Sequence, residues 1–294
     1  MIPADIIKKI RRIHIKGSRT VNTMMAGQYK SVFRGSGIEF EEVREYSPGD
    51  EVKSIDWKVS ARLGKPFIKL YREERESIVM LLIDMSSSLK FGTFSGMKLE
   101  KAAEVASVLA FSAIRNNDKV GVIFFTDRVE KYIPPKKGAS HIWRLIKEIF
   151  TFVPEGKGTN ITTALEFLSS VSRKKTLSFV ISDFICDDHT KAMRTARQRH
   201  ELIAVIVSDK GEFELPFGGI VSITCFETGQ NMVVDASSKQ VRDRYFSQRQ
   251  DYYNKIIDRL KSARVDSVDI STDSVVADTL IQYFRYREKR LRLM

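Results

Sequence analysis

From about Ile78 onward the sequence alternates short apolar runs with amphipathic stretches, and this alternation restricts the fold more than any other feature. Residues 78–83, 120–125, 177–181, 202–207 and 265–270 are continuous apolar or β-rich runs of the length that buried strands need. Residues 129–133 form a shorter run, a hairpin partner for the strand before it. Over residues 98–115, Leu99, Ala102, Ala103, Ala106, Leu109, Ala110 and Ala113 recur at the helical period, so one stripe packs inward until Asn116-Asn117-Asp118 breaks the pattern. Helices are also predicted over 140–150, 161–172 and, last, about 274–290, where Val276, Leu280, Ile281 and Phe284 make the inner stripe. Strands that alternate with helices predict an α/β fold, a doubly wound and mostly parallel sheet covered on both faces.

Residues 1–76 read differently. A basic amphipathic start with Ile6, Ile7, Ile10 and Ile13 leads into Gly- and charge-rich text with short alternating runs at 38–40 and 66–71, separated by turn signals at Ser47-Pro48-Gly49-Asp50 and Gly64-Lys65-Pro66. The expected organisation is a small β-rich extension over 1–76, one helix followed by short antiparallel strands, and the α/β domain over 77–294. No internal repeat or low-complexity segment interrupts it.

The strand at 78–83 runs into Asp84-Met85-Ser86-Ser87-Ser88, and the strand at 177–181 into Ser182-Asp183. A charge at the end of a buried strand is costly unless something compensates it. In open α/β sheets ligands sit outside the carboxyl ends of the strands, where the strand order reverses. If these two strands are neighbours there, their carboxylates face one crevice, and Thr159, on a loop just before a helix, reaches the same place. Two carboxylates and three hydroxyls are an all-oxygen set, which hard cations take, Mg2+ above all, and the cluster holds no imidazole or thiolate to suit zinc or copper. Helix capping competes for the same residues: Asp-x-Ser after a strand often bonds free backbone N–H groups, and Thr159 could cap the helix at Ile161.

Asp84-Met85-Ser86-Ser87-Ser88, Gly158-Thr159-Asn160 and Ile181-Ser182-Asp183 resemble the metal-ion-dependent adhesion site of von Willebrand factor A domains, over about residues 77–290. The resemblance implies a Rossmann-type fold of that kind and a metal site of Asp84, Ser86, Ser88, Thr159 and Asp183. In it Ser86, Ser88 and Thr159 ligate Mg2+ (or Mn2+ or Ca2+), and the two aspartates supply charge directly or through water. One position stays open for an acidic residue of a protein partner. The stretch from Arg44 to Trp57, REYSPGDEVKSIDW, with Ser60-Ala61-Arg62, is similar to the signature of the bacterial domain-of-unknown-function family 58. That second resemblance implies a partner or adaptor of a MoxR-type AAA+ ATPase, or contact with such an ATPase's client. Taken by itself, the signature block is a good β-turn followed by Asp56, which is expected to pair with Arg44 or Arg62.

The remaining signals are weaker. None of His14, His141, His189 and His200 stands in a catalytic triad setting, and Gly156-Lys157-Gly158-Thr159 lacks the spacing of a phosphate loop. Asp187 and Asp188 read as a helix start. The net charge is +12, and residues 1–34 hold eight Lys or Arg against one acid. Such charge suits an acidic protein surface or peripheral contact with a membrane, and no specific nucleic-acid motif accompanies it. Two cysteines, Cys186 and Cys225, make no disulfide framework, and the N-terminus has no signal-peptide core; a cytoplasmic protein is expected. A non-enzymatic interaction module is the first reading. A Mg2+- or Mn2+-dependent hydrolase on the same ligands, with Lys157 as its cationic group, and a basic nucleic-acid-binding protein are the alternatives.

Overall fold

A computed structural model describes residues 39–72, 77–93, 96–216, 218–224 and 229–292. The chain divides into two compact units at the boundary between Ser77 and Ile78. The expected N-terminal helix, Ile38 and Cys225 lie outside the described residues.

In the smaller unit, β1 (Glu39–Glu45) pairs antiparallel with β2 (Phe67–Arg72). After β1 the chain turns through Ser47-Pro48-Gly49-Asp50, where the Asp50 N–H donates to the Ser47 carbonyl at 3.1 Å and Gly49 takes φ +111°. Pro48 presets the first bend and Gly49 accepts the positive φ without steric cost. Arg44 grips Asp50 with both guanidinium nitrogens at 2.7 and 2.9 Å, and this hydrogen bonding holds the carboxyl below its ordinary value. Between the strands lies a helix that the hydrophobic pattern does not announce, α1 (Trp57–Leu63). Seven residues are too few to display a periodic stripe, so its signals are its ends: the Asp56 side chain accepts from the Lys58 and Val59 N–H groups, and Gly64 closes the helix at φ +73°. The ion partner of Asp56 is Lys69, at 3.2 Å, rather than Arg44 or Arg62, because β2 returns beside the start of α1.

The larger unit is the α/β domain. Its chain order is β3 (Ile78–Asp84), the small hairpin β4 (Gly92–Thr93) and β5 (Gly96–Met97), α2 (Lys98–Arg115), β6 (Lys119–Phe125), β7 (Val129–Lys136), α3 (Ala139–Thr151) and α4 (Ile161–Val171). There follow β8 (Leu177–Ser182), α5 (Thr190–Arg199), β9 (Glu201–Ser208), the hairpin β10 (Ile220–Thr224) and β11 (Asn231–Asp235), α6 (Lys239–Ser262), β12 (Asp266–Ser271) and α7 (Val276–Arg292). The main sheet has six strands in the order β12-β9-β8-β3-β6-β7. All its pairings are parallel except β6 with β7. The chain starts at β3, winds outward to β6 and β7, then crosses to β8 on the other side, so the order reverses between β3 and β8. Pro134 and Pro135 extend β7 beyond its apolar run, which is tolerated because β7 is an edge strand.

Alternation along the strands assigns the two faces. Met80, Leu82, Ile123, Val180 and Ala204 share one core with Ile161, Leu165 and Leu168 of α4, Met193 of α5 and Ile256 and Leu260 of α6. Val79, Leu81 and Ile83 are buried on the opposite face, where α2 packs on the sheet between α3 and α7. Small residues on α2, among them Ala102, Ala103, Ala106 and Ala113, are fully or almost fully buried.

Candidate metal centre

Parallel register sets Ile83 of β3 opposite Ile181 of β8, so Asp84 and Ser182 emerge side by side at the carboxyl edge. The Ser182 hydroxyl donates to Asp84 Oδ2 at 2.6 Å, and the Ser86 N–H donates to Asp84 Oδ1 at 2.8 Å. After Asp84 the chain bends into a short 3-10 turn, Ser87–Lys90, which brings the Ser86 and Ser88 hydroxyl oxygens to 3.0 Å from each other. The third strip of chain is tied on by its backbone: the Ser87 N–H donates to the Lys157 carbonyl at 3.0 Å, and the Asn160 N–H to the Thr126 carbonyl at 2.8 Å. Thr159 stands half-buried between those two ties. Capping of α4 falls to Asn160, whose side-chain oxygen accepts from the Thr163 N–H, and not to Thr159.

Gly156 makes this placement possible. A Cβ there would lie 1.9 Å from Asp127 Oδ1 and 2.2 Å from Thr126 Oγ1. Its N–H donates to Glu130 Oε1 at 2.7 Å, so the loop rests on the β6–β7 turn at a distance only glycine permits.

Asp183 is held differently from Asp84. Its Oδ1 accepts the Ile185 N–H at 3.1 Å, and its Oδ2 receives the Lys98 ammonium at 2.7 Å. Lys98 also donates to Glu212 Oε1 at 2.5 Å and is wholly buried. Glu212 is aimed by a capping box: Asp209 accepts the Gly211 N–H, while Glu212 Oε2 accepts the Asp209 N–H at 3.0 Å. Asp209 further accepts from the hydroxyls of Thr93 and Thr272, and these bonds outweigh burial and hold its carboxyl below the ordinary value. Neither Lys98 nor Glu212 is singled out in the sequence reading. Lys98 stands one turn before Ala102 on the inner stripe of α2, and a lysine on a buried stripe implies a buried anion.

The electrostatics are those of an anionic crevice. Asp84, Asp183 and Glu212 outnumber Lys98 and Arg249, which stands 4.0 Å from Glu212, so the crevice keeps a net negative charge. Burial, with the Asp183 charge behind it, pushes the Asp84 carboxyl up to about 7, against the hydrogen bonds from Ser182 and Ser86. Burial works against the Lys98 charge, but Asp183 and Glu212 overcome it and hold the ammonium above its ordinary value. A bound cation would offset that surplus. The Ser86 and Ser88 hydroxyls hydrogen-bond to each other at 3.0 Å, a separation that neighbouring ligands about 2.1 Å from an octahedral ion would also have. Among the described residues no group of three or more His, Cys, Asp or Glu is placed to hold a metal ion, so an ion here depends on the hydroxyls. The donor set therefore fits a hard divalent cation. The neighbouring Asp188 accepts the Thr190 N–H and hydroxyl at the start of α5, the helix-start role its position predicts.

A mostly parallel sheet of this order, with an Asp-x-Ser-x-Ser strand end at its reversal, is of the doubly wound α/β class that the alternation of strands and helices predicts. The family model described as "Protein of unknown function DUF58" matches residues 42–254, and the chain belongs to that family. Rv1480 of Mycobacterium tuberculosis is 28% identical over 223 residues, which are 75% of this chain and 70% of the relative. YeaD of Bacillus subtilis is 26% identical over 107 residues, 36% of this chain and 25% of the relative. Among solved structures, BatB from Bacteroides thetaiotaomicron has a TM-score of 0.45 at 16% identity, covering 72% of this chain and 99% of its own. An aerotolerance-related membrane protein from Bacteroides fragilis has a TM-score of 0.48 at 16% identity, with 73% and 99% covered. The SpRpn10 VWA domain has a TM-score of 0.41 at 12% identity, with 71% and 95% covered. Among the described residues, no helix is long and apolar enough to cross a membrane.

Proposed function

We propose that the protein is a metal-ion-dependent protein-interaction module. In this reading Ser86, Ser88 and Thr159 offer hydroxyl oxygens to one Mg2+ or Mn2+, and Asp84 and Asp183 supply the balancing charge. A divalent ion bound there supplies a fixed double charge for a desolvated carboxylate of the partner. The chain's own residues prepare that contact. Ser182 and the Ser86 N–H orient the Asp84 carboxylate, the tie from Ser87 to Lys157 holds the Thr159 loop against the Asp84 loop, and Gly156 seats that loop. The observation that carries the reading is the pair of Ser86 and Ser88 hydroxyls, hydrogen-bonded to each other, on the strand end that carries the buried Asp84, with the buried Asp183 at the end of the neighbouring strand.

The partner in this reading is a MoxR-type AAA+ ATPase or its client, the role that the resemblance of the Arg44–Trp57 block implies. The test is affinity capture from native extract with Mg2+ and with a chelator, using wild type and Asp84→Ala. The reading expects an AAA+ ATPase or a bound client to be retained with Mg2+ and lost with chelator and in the variant. Equal capture under all conditions removes the metal from the interaction.

A further inference from the structure

Every carboxylate oxygen of Asp84 and Asp183 already accepts one hydrogen bond. Asp84 Oδ1 has the Ser86 N–H, Asp84 Oδ2 the Ser182 hydroxyl, Asp183 Oδ1 the Ile185 N–H and Asp183 Oδ2 the Lys98 ammonium. Three of these donors are neutral. The fourth carries a full positive charge at 2.7 Å and cannot retreat to solvent, because Lys98 is wholly buried and clamped between Asp183 and Glu212. A second cation chelated by both oxygens of Asp183 would sit against that ammonium in a site of low dielectric, where like charges repel strongly. Asp183 is thereby left with Oδ1 as the oxygen that an incoming cation can approach. Mg2+ and Ca2+ differ on this point. Mg2+ is satisfied by six oxygens in a tight octahedron with few protein carboxylates, whereas Ca2+ takes six to eight and commonly draws a carboxylate in bidentate.

We infer that Lys98 is a positioning residue that makes the centre selective for a small six-coordinate divalent cation, Mg2+ or Mn2+, over Ca2+. It does so by engaging one oxygen of Asp183, and Glu212 holds it there. This rests on the metal-binding reading above. It goes further in naming a residue outside the ligand set that decides which ion enters.

The two roles open to Lys98, charge and occupancy, are separable. In the double variant Lys98→Met/Glu212→Gln the ammonium and one carboxylate leave together. The net charge of the group is unchanged, the amide introduced by Glu212→Gln retains an oxygen for the Asp209 N–H, and the buried Asp183 carboxylate keeps the Ile185 N–H while its ammonium partner is gone. Asp183 Oδ2 is then open. In Glu212→Gln alone, Lys98 keeps Asp183 as its partner, the group loses one negative charge, and the single amide oxygen can accept from the Lys98 ammonium or from the Asp209 N–H but not from both.

The experiment is calorimetric titration of Mg2+, Mn2+ and Ca2+ into wild type and both variants, with thermal melting to show that each is folded. Wild type is expected to bind Mg2+ at least about tenfold more tightly than Ca2+, the double variant to lose most of that ratio by gaining Ca2+ affinity, and Glu212→Gln to keep the ratio while binding both ions more weakly. If all three proteins bind divalent ions with one unchanged ratio, Lys98 is structural only and the inference falls while the metal reading stands. If the double variant does not fold, Glu212→Gln decides: a ratio that collapses while Lys98 is still paired with Asp183 overturns the inference. If wild type binds none of the ions, both fall together, and ion binding gained only in the double variant would mean that the ammonium stands where a metal was expected.

Discussion

Single atoms decide whether this centre forms. Gly156 is the sharpest case, because its missing Cβ is occupied space belonging to Thr126 and Asp127. Gly156→Ala is expected to cost about 1–3 kcal/mol by overpacking and to displace the loop carrying Thr159, measured as a lower urea midpoint together with a lost Mg2+ response. Asp84→Ala is expected to abolish the Mg2+-dependent rise in melting temperature while leaving the protein folded. Buried histidines give the pH dependence. Burial lowers the imidazoles of His189 and His200 below the ordinary value of 6.5, and the Nε2 of each has no hydrogen-bond partner. A depressed pKa means the unfolded state binds more protons, so this contribution is complete above about 6.5 and is lost as pH falls through the folded values. Melting temperatures taken from pH 7.5 to 5 should fall less steeply in His200→Gln than in wild type. At this scale the cluster at the end of β3 was legible, because Asp84, Ser86 and Ser88 lie within five residues. Lys98, Asp183 and Glu212 were not legible as a group, because their meeting depends on three separated segments converging at the carboxyl edge.

At the scale of elements, what the sequence reveals depends on length and burial. The strands of the main sheet are continuous apolar runs because both faces are covered, and α2 shows its stripe over five turns. Elements that bury little gave no pattern: α1 has only its caps, and β10 and β11 form a two-stranded hairpin with Ile220, Met232 and Val233 exposed. The end of α7 is fixed by Arg287, which bonds the first residues of two strands, Glu201 of β9 and Asp266 of β12, and also the Tyr283 hydroxyl. Arg287→Ala takes that partner from Glu201 and leaves Asp266 to Arg290, and loss of such a part-buried charged partner is expected to cost about 1–3 kcal/mol. The expected outcome is a lower urea midpoint with an unchanged Mg2+ to Ca2+ affinity ratio, since the network lies at the opposite edge of the sheet from Asp84.

For the whole molecule, a net charge of +12 coexists with a gathering of carboxylates at one edge of the main sheet. Strands that run parallel place their carboxyl ends together, and there lie Asp84, Asp127, Asp183, Asp187, Asp188 and Glu212. The helices return to the other edge, where Arg173, Lys174, Lys175, Arg197, Arg199, Arg264 and Arg290 are exposed. Cations at helix ends of that kind are favoured by the helix dipole. Composition alone conveys the excess but not where the carboxylates gather. Metal binding is expected to register in global stability: at an ion concentration of about 100 times Kd, linkage adds about 2.7 kcal/mol, read as a rise in the urea midpoint that a chelator reverses.

The Lys98 clamp has a further consequence for how the protein is made. Its three members come from residues 98, 183 and 212, so a chain still being synthesised holds Lys98 and Asp183 long before Glu212. Until Glu212 leaves the ribosome, the ammonium has one carboxylate where the finished protein gives it two, and the capping box that aims Glu212 does not yet exist. The clamp is therefore completed only once residue 212 has been made. A nascent chain halted before residue 212 carries Asp84, Ser86, Ser88, Thr159 and Asp183 without the finished clamp.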